Sequence, residues 1–258
     1  MSDSKPVRLE IEGKIAKIIL NRPEQLNAIN LALKQHLNQA LDEIISRQNI
    51  RVVILQGEGR AFCAGGDLQA IRAKDGIGRP EDLAYSHSLL KKLISLDAIV
   101  MSAVHGFAAG AGFILALAAD LVYAARGTQF HMAFVRLGLV PDWGGMYLLP
   151  RLAGIRKAKE WMLFAETLDA ETALNCGLVN AIFEEKAFFQ NVLERAERLA
   201  AGPWTAIQTI KAFLNQTPEI TLEEALNMEL EAFSACMASH DVEEGINAFF
   251  EKRAPRFL

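Results

Sequence analysis

The sequence predicts an α/β fold followed by an all-helical tail, and three observations carry that prediction. Short apolar strands alternate with helical patterns through most of the chain. Two strand-to-helix loops are crowded with glycine and alanine. After about Gly202 the strands stop, and three helical stretches follow one another. With 258 residues, 51% of them apolar, the chain can bury one substantial core, alone or with a smaller unit appended.

Each element has its own signal. "VRLEIEG" and "IAKIILN" read as two paired strands, stopped by Asn21-Arg22-Pro23. Leu31 to about Ser46 has helical apolar spacing. "IRVVILQG" is a short apolar strand that runs into the loop "EGRAFCAGGDL". A polar link, "AKDGIGRPED", leads to a helix through "LAYSHSLLKKLISL". Strands at Val52 to Leu55, Ile99 to Val104 and Leu121 to Ala124 each follow or precede helices, as a layer with right-handed crossovers requires. The uncharged run Ala98 to Ala119 is long enough for a membrane span. It divides at His105-Gly106, however, and reads as a buried strand, a glycine turn and a buried helix. The expected boundary places a core in 1–202 and a helical lid or oligomer-forming unit in 203–258. That unit consists of "PWTAIQTIKAFLNQ", "TLEEALNMELEAFSACMAS" with a Thr221/Glu224 capping box, and "DVEEGINAFFEKR".

Composition narrows the function. A formal charge of -4 supplies no basic field for nucleic acid or an anionic membrane. Cys63, Cys176 and Cys236 are odd in number and far apart, so neither a disulfide framework nor a zinc site is expected. No His/Asp/Glu spacing suggests a metal. The opening "MSDSKPVRLE" lacks an apolar signal region, and a cytoplasmic location is expected.

The chemistry concentrates in three stretches. "AFCAGGDL" and "HGFAAGAGFIL" place small residues after a strand and before a helix, where main-chain N–H groups are unshielded and the helix dipole favours anions. Two such N–H groups converging on one oxygen form an oxyanion hole. Taken singly, either loop could serve only tight turns and close packing. The third stretch, "RLGLVPDWGGMYLLPRL", sets one carboxylate, Asp142, in apolar surroundings that ionised groups avoid unless something there uses them. An N-cap for a helix beginning near Trp143 is the alternative role.

"NRPEQLNAI", "GRAFCAGGDL", "AVHGFAAGAGFILALAADLVYAA", "FVRLGLVPDWGG", "AETALNCGLVN" and "EGINAFFEKRAPRF" stand in the order and spacing of the crotonase family, which the chain resembles over nearly its whole length. The resemblance implies an acyl-CoA enzyme with a crotonase-like ββα spiral core and a C-terminal helical region, assembled as a homotrimer or a hexamer built as a dimer of trimers. It implies thioester-oxygen donors at the Gly66 and Ala111 N–H groups. It also implies no cofactor beyond the coenzyme A carried by the substrate. Hydratases of the family use two glutamates, and the matching positions here are Ile114 and Phe134. Asp142 resembles instead the lone acid/base of phenylacetate-pathway and related enoyl-CoA isomerases, whose pattern is matched by "MAFVRLGLVPDWGGMYLLPR". The expected acyl pocket includes Ile114, Phe134 and Trp143.

For the carrier, the resemblance implies contacts from Gln25, Ala28, Ala64 and Leu68, with Phe249 and Lys252 contributed by the C-terminal region of this or a neighbouring subunit. Glu24 and Gln69 replace lysines of some relatives, so Arg22 or Arg72 is the expected phosphate partner. Asp67 and Asp120 read as structural, one capping the helix at Leu68 and one closing the apolar helix. His105 and His131 read as partly buried with backbone partners. Two further readings stay open: Asp142 as a nucleophile in hydrolytic or dehalogenase-like chemistry, and a catalytically silent CoA-binding scaffold.

Overall fold

The computed structural model of the chain describes residues 5–73 and 78–257. β1 (Val7–Glu12) and β2 (Ile15–Leu20) form an antiparallel hairpin in the register Val7↔Leu20 to Glu12↔Ile15. Asn30 caps α1 (Leu31–Ser46), its side chain accepting from the Leu33 N–H at 2.9 Å. The chain continues through β3 (Val52–Gly57), α2 (Leu68–Arg72), α3 (Pro80–Ile94), β4 (Ile99–Val104), β5 (Phe107–Ala109), α4 (Ala111–Leu117), β6 (Leu121–Ala125) and β7 (Gln129–His131). Then come α5 (Gly145–Ala153), α6 (Ile155–Phe164), β8 (Thr167–Asp169), α7 (Ala170–Asn175), β9 (Ala181–Phe183), α8 (Phe188–Ala200), α9 (Trp204–Gln216), α10 (Leu222–Met237) and α11 (His240–Phe250).

The main sheet has the order β1-β2-β3-β4-β6-β9, parallel from β2 onward. Its central strands are apolar almost throughout because both faces are covered. One face carries Val53, Leu55, Val100 and Val104 into the larger core with α1, α3 and α4. On the other, Ile54, Met101 and Tyr123 meet Phe188, Val192 and Ala196 of α8. This is the α/β layer expected from the sequence.

The sequence reading needs adjustment at several points. β5, β7 and β8 form a second, three-stranded sheet that the sequence did not announce, since three residues are too few for a period to register. α3 begins at Pro80 rather than near Leu83, because the fixed φ of proline suits the first helical position. Residues 74–77 of the expected polar link lie outside the described residues. The membrane-like run resolves into β4, a turn at Gly106 (φ 62°), β5 and α4. Among the described residues no helix is long and apolar enough to cross a membrane.

The helical tail is tied to the core by polar contacts. Arg51 donates to the carbonyls of Ala200 (2.9 Å) and Gly202 (3.4 Å). Lys211 of α9 donates to Ala98 O at 2.8 Å and to Asp120 Oδ2 at 2.7 Å. Asp120 therefore does more than close a helix, since the same oxygen accepts from Val100 N–H at 2.7 Å. The Thr221/Glu224 capping box is formed, with bonds of 3.2 and 2.7 Å. α10 has no buried residue, and Leu222, Leu226, Leu230, Phe233 and Met237 form one exposed stripe along it.

Candidate active site

Two loops are stitched into one wall. Cys63 and Ala108 form a parallel bridge in which Cys63 N–H donates to Phe107 O (3.3 Å) and Ala109 N–H to Cys63 O (2.9 Å). Ile29 and Gly66 form another, with Ile29 N–H donating to Gly65 O (2.7 Å) and Asp67 N–H to Ile29 O (3.0 Å). Because Ile29 bonds to the residues on either side of Gly66, the N–H of Gly66 itself points the other way. Gly110 N–H is given to His131 O at 2.9 Å, so Ala111 opens α4 with one of the orphan N–H groups of a helix start. A β carbon on Gly65 (φ 89°) would stand 3.4 Å from Ala111 N and 2.6 Å from Ala109 O. Only glycine permits that approach, which sets residue 65 directly against the start of α4. Behind them, a β carbon on Gly112 would stand 2.5 Å from Cys63 O. Burial pushes the Cys63 thiol up to about 12, and its S–H is given to Asn27 O at 3.1 Å, so it is packing and not a nucleophile.

Asp142 sits against the same helix. Ile114, one turn beyond Ala111, lies within 3.0 Å of where a Gly145 side chain would begin, and Pro141 Cβ lies at 3.1 Å. The 141–145 segment thus packs on the first turns of α4. Asp142 does not cap: α5 starts at Gly145 behind Gly144, with no side-chain cap bond, and Asp142 contributes only its backbone carbonyl, which accepts from Gly145 N–H at 2.8 Å. Its Oδ1 is buried without a hydrogen-bond partner. Burial pushes the carboxyl above its ordinary range; the Lys34 ammonium, a local backbone hydrogen bond and His87 oppose the rise, and Asp82 adds to it. The next residue, Trp143, is left-handed (φ 50°), an uncommon conformation for a bulky side chain, and is 2% exposed.

A sequence profile described as Enoyl-CoA hydratase/isomerase matches residues 10–258. The chain belongs to this family, the crotonases. It is 37% identical over 252 residues to the 1,2-epoxyphenylacetyl-CoA isomerase of Escherichia coli K12, covering 96% of both chains. It is 32% identical over 248 residues to the short-chain-enoyl-CoA hydratase of Clostridium acetobutylicum, covering 96% of this chain and 95% of that one. A crystal structure of an enoyl-CoA hydratase/isomerase from Cupriavidus metallidurans CH34 superposes with a TM-score of 0.91 at 32% identity, over 100% of this chain and 97% of that one.

Within this crotonase, the remaining expected residues are placed unevenly. The ring of Phe134 covers Gly110 at 3.6 Å from where a β carbon would be, directly beside the Ala111 donor. Ile114 has no exposed surface and backs the site. Gln25, Ala28 and Ala64 lie close together, since Ala28 N–H bonds to Gln25 O (3.0 Å) and Ala64 N–H to Leu26 O (2.9 Å); Ala28 is buried, and Leu68 is 53% exposed at the start of α2. Phe249 and Lys252 are elsewhere, exposed at the end of α11, which packs on α10. Arg22 is held inward by Asp67 at 3.0 Å and by Ala28 O, and so is not a free phosphate partner. Arg72 is exposed at the end of α2.

Asp67 caps α2 as expected, accepting from Gln69 and Ala70 N–H at 3.1 and 3.2 Å. His105 has its backbone partner, Gly59 O at 2.8 Å. His131 does not; it meets the Thr167 hydroxyl at 2.9 Å, a side-chain contact created by the β7-β8 pairing. Burial lowers the proton affinity of both histidines. Among the described residues no cluster of His, Cys, Asp and Glu could hold a metal ion. Sequence reasoning missed Lys34, which is 3% exposed and paired with Asp82 at 2.5 Å. Its one available signal was its position among Leu33, Leu37 and Leu41 on the apolar side of α1.

Proposed function

We propose that this acyl-CoA enzyme is an enoyl-CoA isomerase, with Asp142 as its single acid/base and the Gly66 and Ala111 N–H groups as thioester-oxygen donors. The observation that carries the reading is the buried, unpartnered Oδ1 of Asp142, in a segment whose Gly145 meets Ile114 of α4. The two positions matching the glutamates of hydratases hold Ile114 and Phe134, which exchange no proton.

The ionised carboxylate removes a proton from Cα of a 3-enoyl thioester. The electron pair spreads over Cα, Cβ, Cγ and the thioester oxygen, whose charge the two donors share. Protonated Asp142 then delivers a proton to Cγ, leaving a conjugated 2-enoyl thioester. One carboxyl serves both steps because the anion is allylic. Each preorganised donor contributes about 3 kcal/mol in comparable sites. Desolvation suits the carboxyl to the work, since a group that must both take and give a proton is best poised toward working pH. The reaction needs no cofactor besides the coenzyme A of the substrate, for which Gln25, Ala28, Ala64 and Leu68 are the proposed contacts. We place the working form as a homotrimer or a dimer of trimers, with the α10 stripe covered by another copy, so that Phe249 and Lys252 meet coenzyme A across that contact.

The test is incubation with a 3-enoyl-CoA, following conjugated-thioester absorbance and deuterium wash-in at Cα and Cγ. Asp142→Asn is expected to lose about 10²–10⁴ in kcat while still binding the thioester. Undiminished turnover in that variant removes the assigned base, and a covalent ester trapped on Asp142 replaces proton transfer by nucleophilic chemistry.

A further inference from the structure

Lysine is almost never fully buried unless paired. Lys34 is buried on α1, and its partner is fixed on every side. Asp82 Oδ1 accepts from Lys34 Nζ at 2.5 Å and its Oδ2 from Gly78 N–H at 3.2 Å, and its backbone carbonyl accepts from the Ser86 hydroxyl at 3.0 Å. The side chains of the pair are 4% and 8% exposed. A second tie at the far end of the same two helices joins Lys92 to Asp42 (2.5 Å) and Asn38 (2.6 Å). Lys34 and Asp82 open the helices while Asp42 and Lys92 lie two turns or more along, so α1 and α3 run parallel and the buried pair cannot slide.

A buried ion pair of this kind contributes little net stability, and apolar residues of similar size often replace it without loss. Its location offers a better reason for its presence. The Lys34 ammonium lies 6.0 Å from the centre of the Trp143 ring, the residue held left-handed directly after Asp142. An ammonium has three N–H donors. Among the described residues its hydrogen-bond acceptor is Asp82, while Asp142 Oδ1 is a buried acceptor without a donor.

We infer that Lys34, clasped by Asp82, is a positioning residue for Asp142: it braces Trp143 from behind and supplies the buried positive charge that the acid/base carboxyl faces. The inference rests on the reading of Asp142 as the acid/base. The charged and titratable groups acting on Asp142 are Lys34 from α1 and Asp82 and His87 from α3; α4, which meets the 141–145 segment, contributes the uncharged Ile114. Lys34 and His87 favour the ionised carboxyl, Asp82 and burial the protonated one.

The experiment titrates Asp142 directly, by carbon NMR of ligand-free protein labelled at the aspartate carboxyl, with Asp142→Asn identifying the signal. Lys34→Met is expected to move the Asp142 midpoint upward. The acidic limb of kcat/KM should move with it, with about a tenfold loss below the midpoint for each unit of displacement. Should Lys34→Met fail to fold, Lys34→Met/Asp82→Leu replaces the pair by apolar groups; its midpoint also moves up, by less, because Lys34 outweighs Asp82 at Asp142. A folded variant of either kind that titrates like the parent overturns the inference. Full turnover in Asp142→Asn overturns the acid/base reading instead, and the NMR titration still decides whether Lys34 governs that carboxyl.

Discussion

Asp142 is held at a cost to the fold. Its carboxyl has an ordinary value of 3.8 and is raised by burial in the folded chain, so the folded state holds the proton more tightly than the unfolded one. The sign follows: the contribution of Asp142 to stability is greatest at acid pH and declines as pH rises from the ordinary value through the raised one, where the buried group must ionise. Asp142→Asn should therefore melt above the parent at pH 7 while losing turnover, and the gap should close toward acid pH; melting curves at several pH values check this. Gly65 lies at φ 89°, with Ala109 O 2.6 Å from any added β carbon, so Gly65→Ala should cost about 1–3 kcal/mol and spread the two donors, read as a fall in kcat beside a denaturant melt. Asp142 was legible because a lone carboxylate in an apolar run is conspicuous. Lys34 was not, because a lysine on a helix ordinarily lies on the wet side and only the turn of α1 against α3 puts this one inside.

At the scale of elements, the parallel strands and the two glycine loops could be read from the sequence, since each is a run of several residues with a period or a composition of its own. The three-residue strands β5, β7 and β8 could not, yet β5 carries one loop to its partner through Ala108 and Ala109, and β7 fixes Gly110 through His131. Pairing across the chain defines them, and no local window contains it. The tail is an element-scale matter too. Lys211 joins α9 to Asp120 and Ala98, with side chains 7% and 20% exposed across the ion pair. Lys211→Met leaves Asp120 without its counter-ion and should destabilise the chain by about 3 kcal/mol, measured by urea unfolding.

Across the whole molecule, apolar surface is distributed unevenly. α10 shows Leu230 at 69% and Phe233 at 64% exposure, and α11 shows Phe249 and Phe250 at 78% each. Contiguous apolar surface of that kind is unusual on a monomer, and the proposed contact between copies covers it. Leu230→Glu/Phe233→Glu should shift light-scattering mass toward a single chain while the core keeps its circular dichroism. The sequence placed this tail as a separate helical run but could not show which of its faces stays open, because helix periodicity gives a stripe and not its neighbour. The Cys63–Ala108 bridge, by contrast, lies wholly inside one chain. The spacing of the two loops that carry the proposed donors is thus fixed within each copy, so any contact between copies can change without altering it.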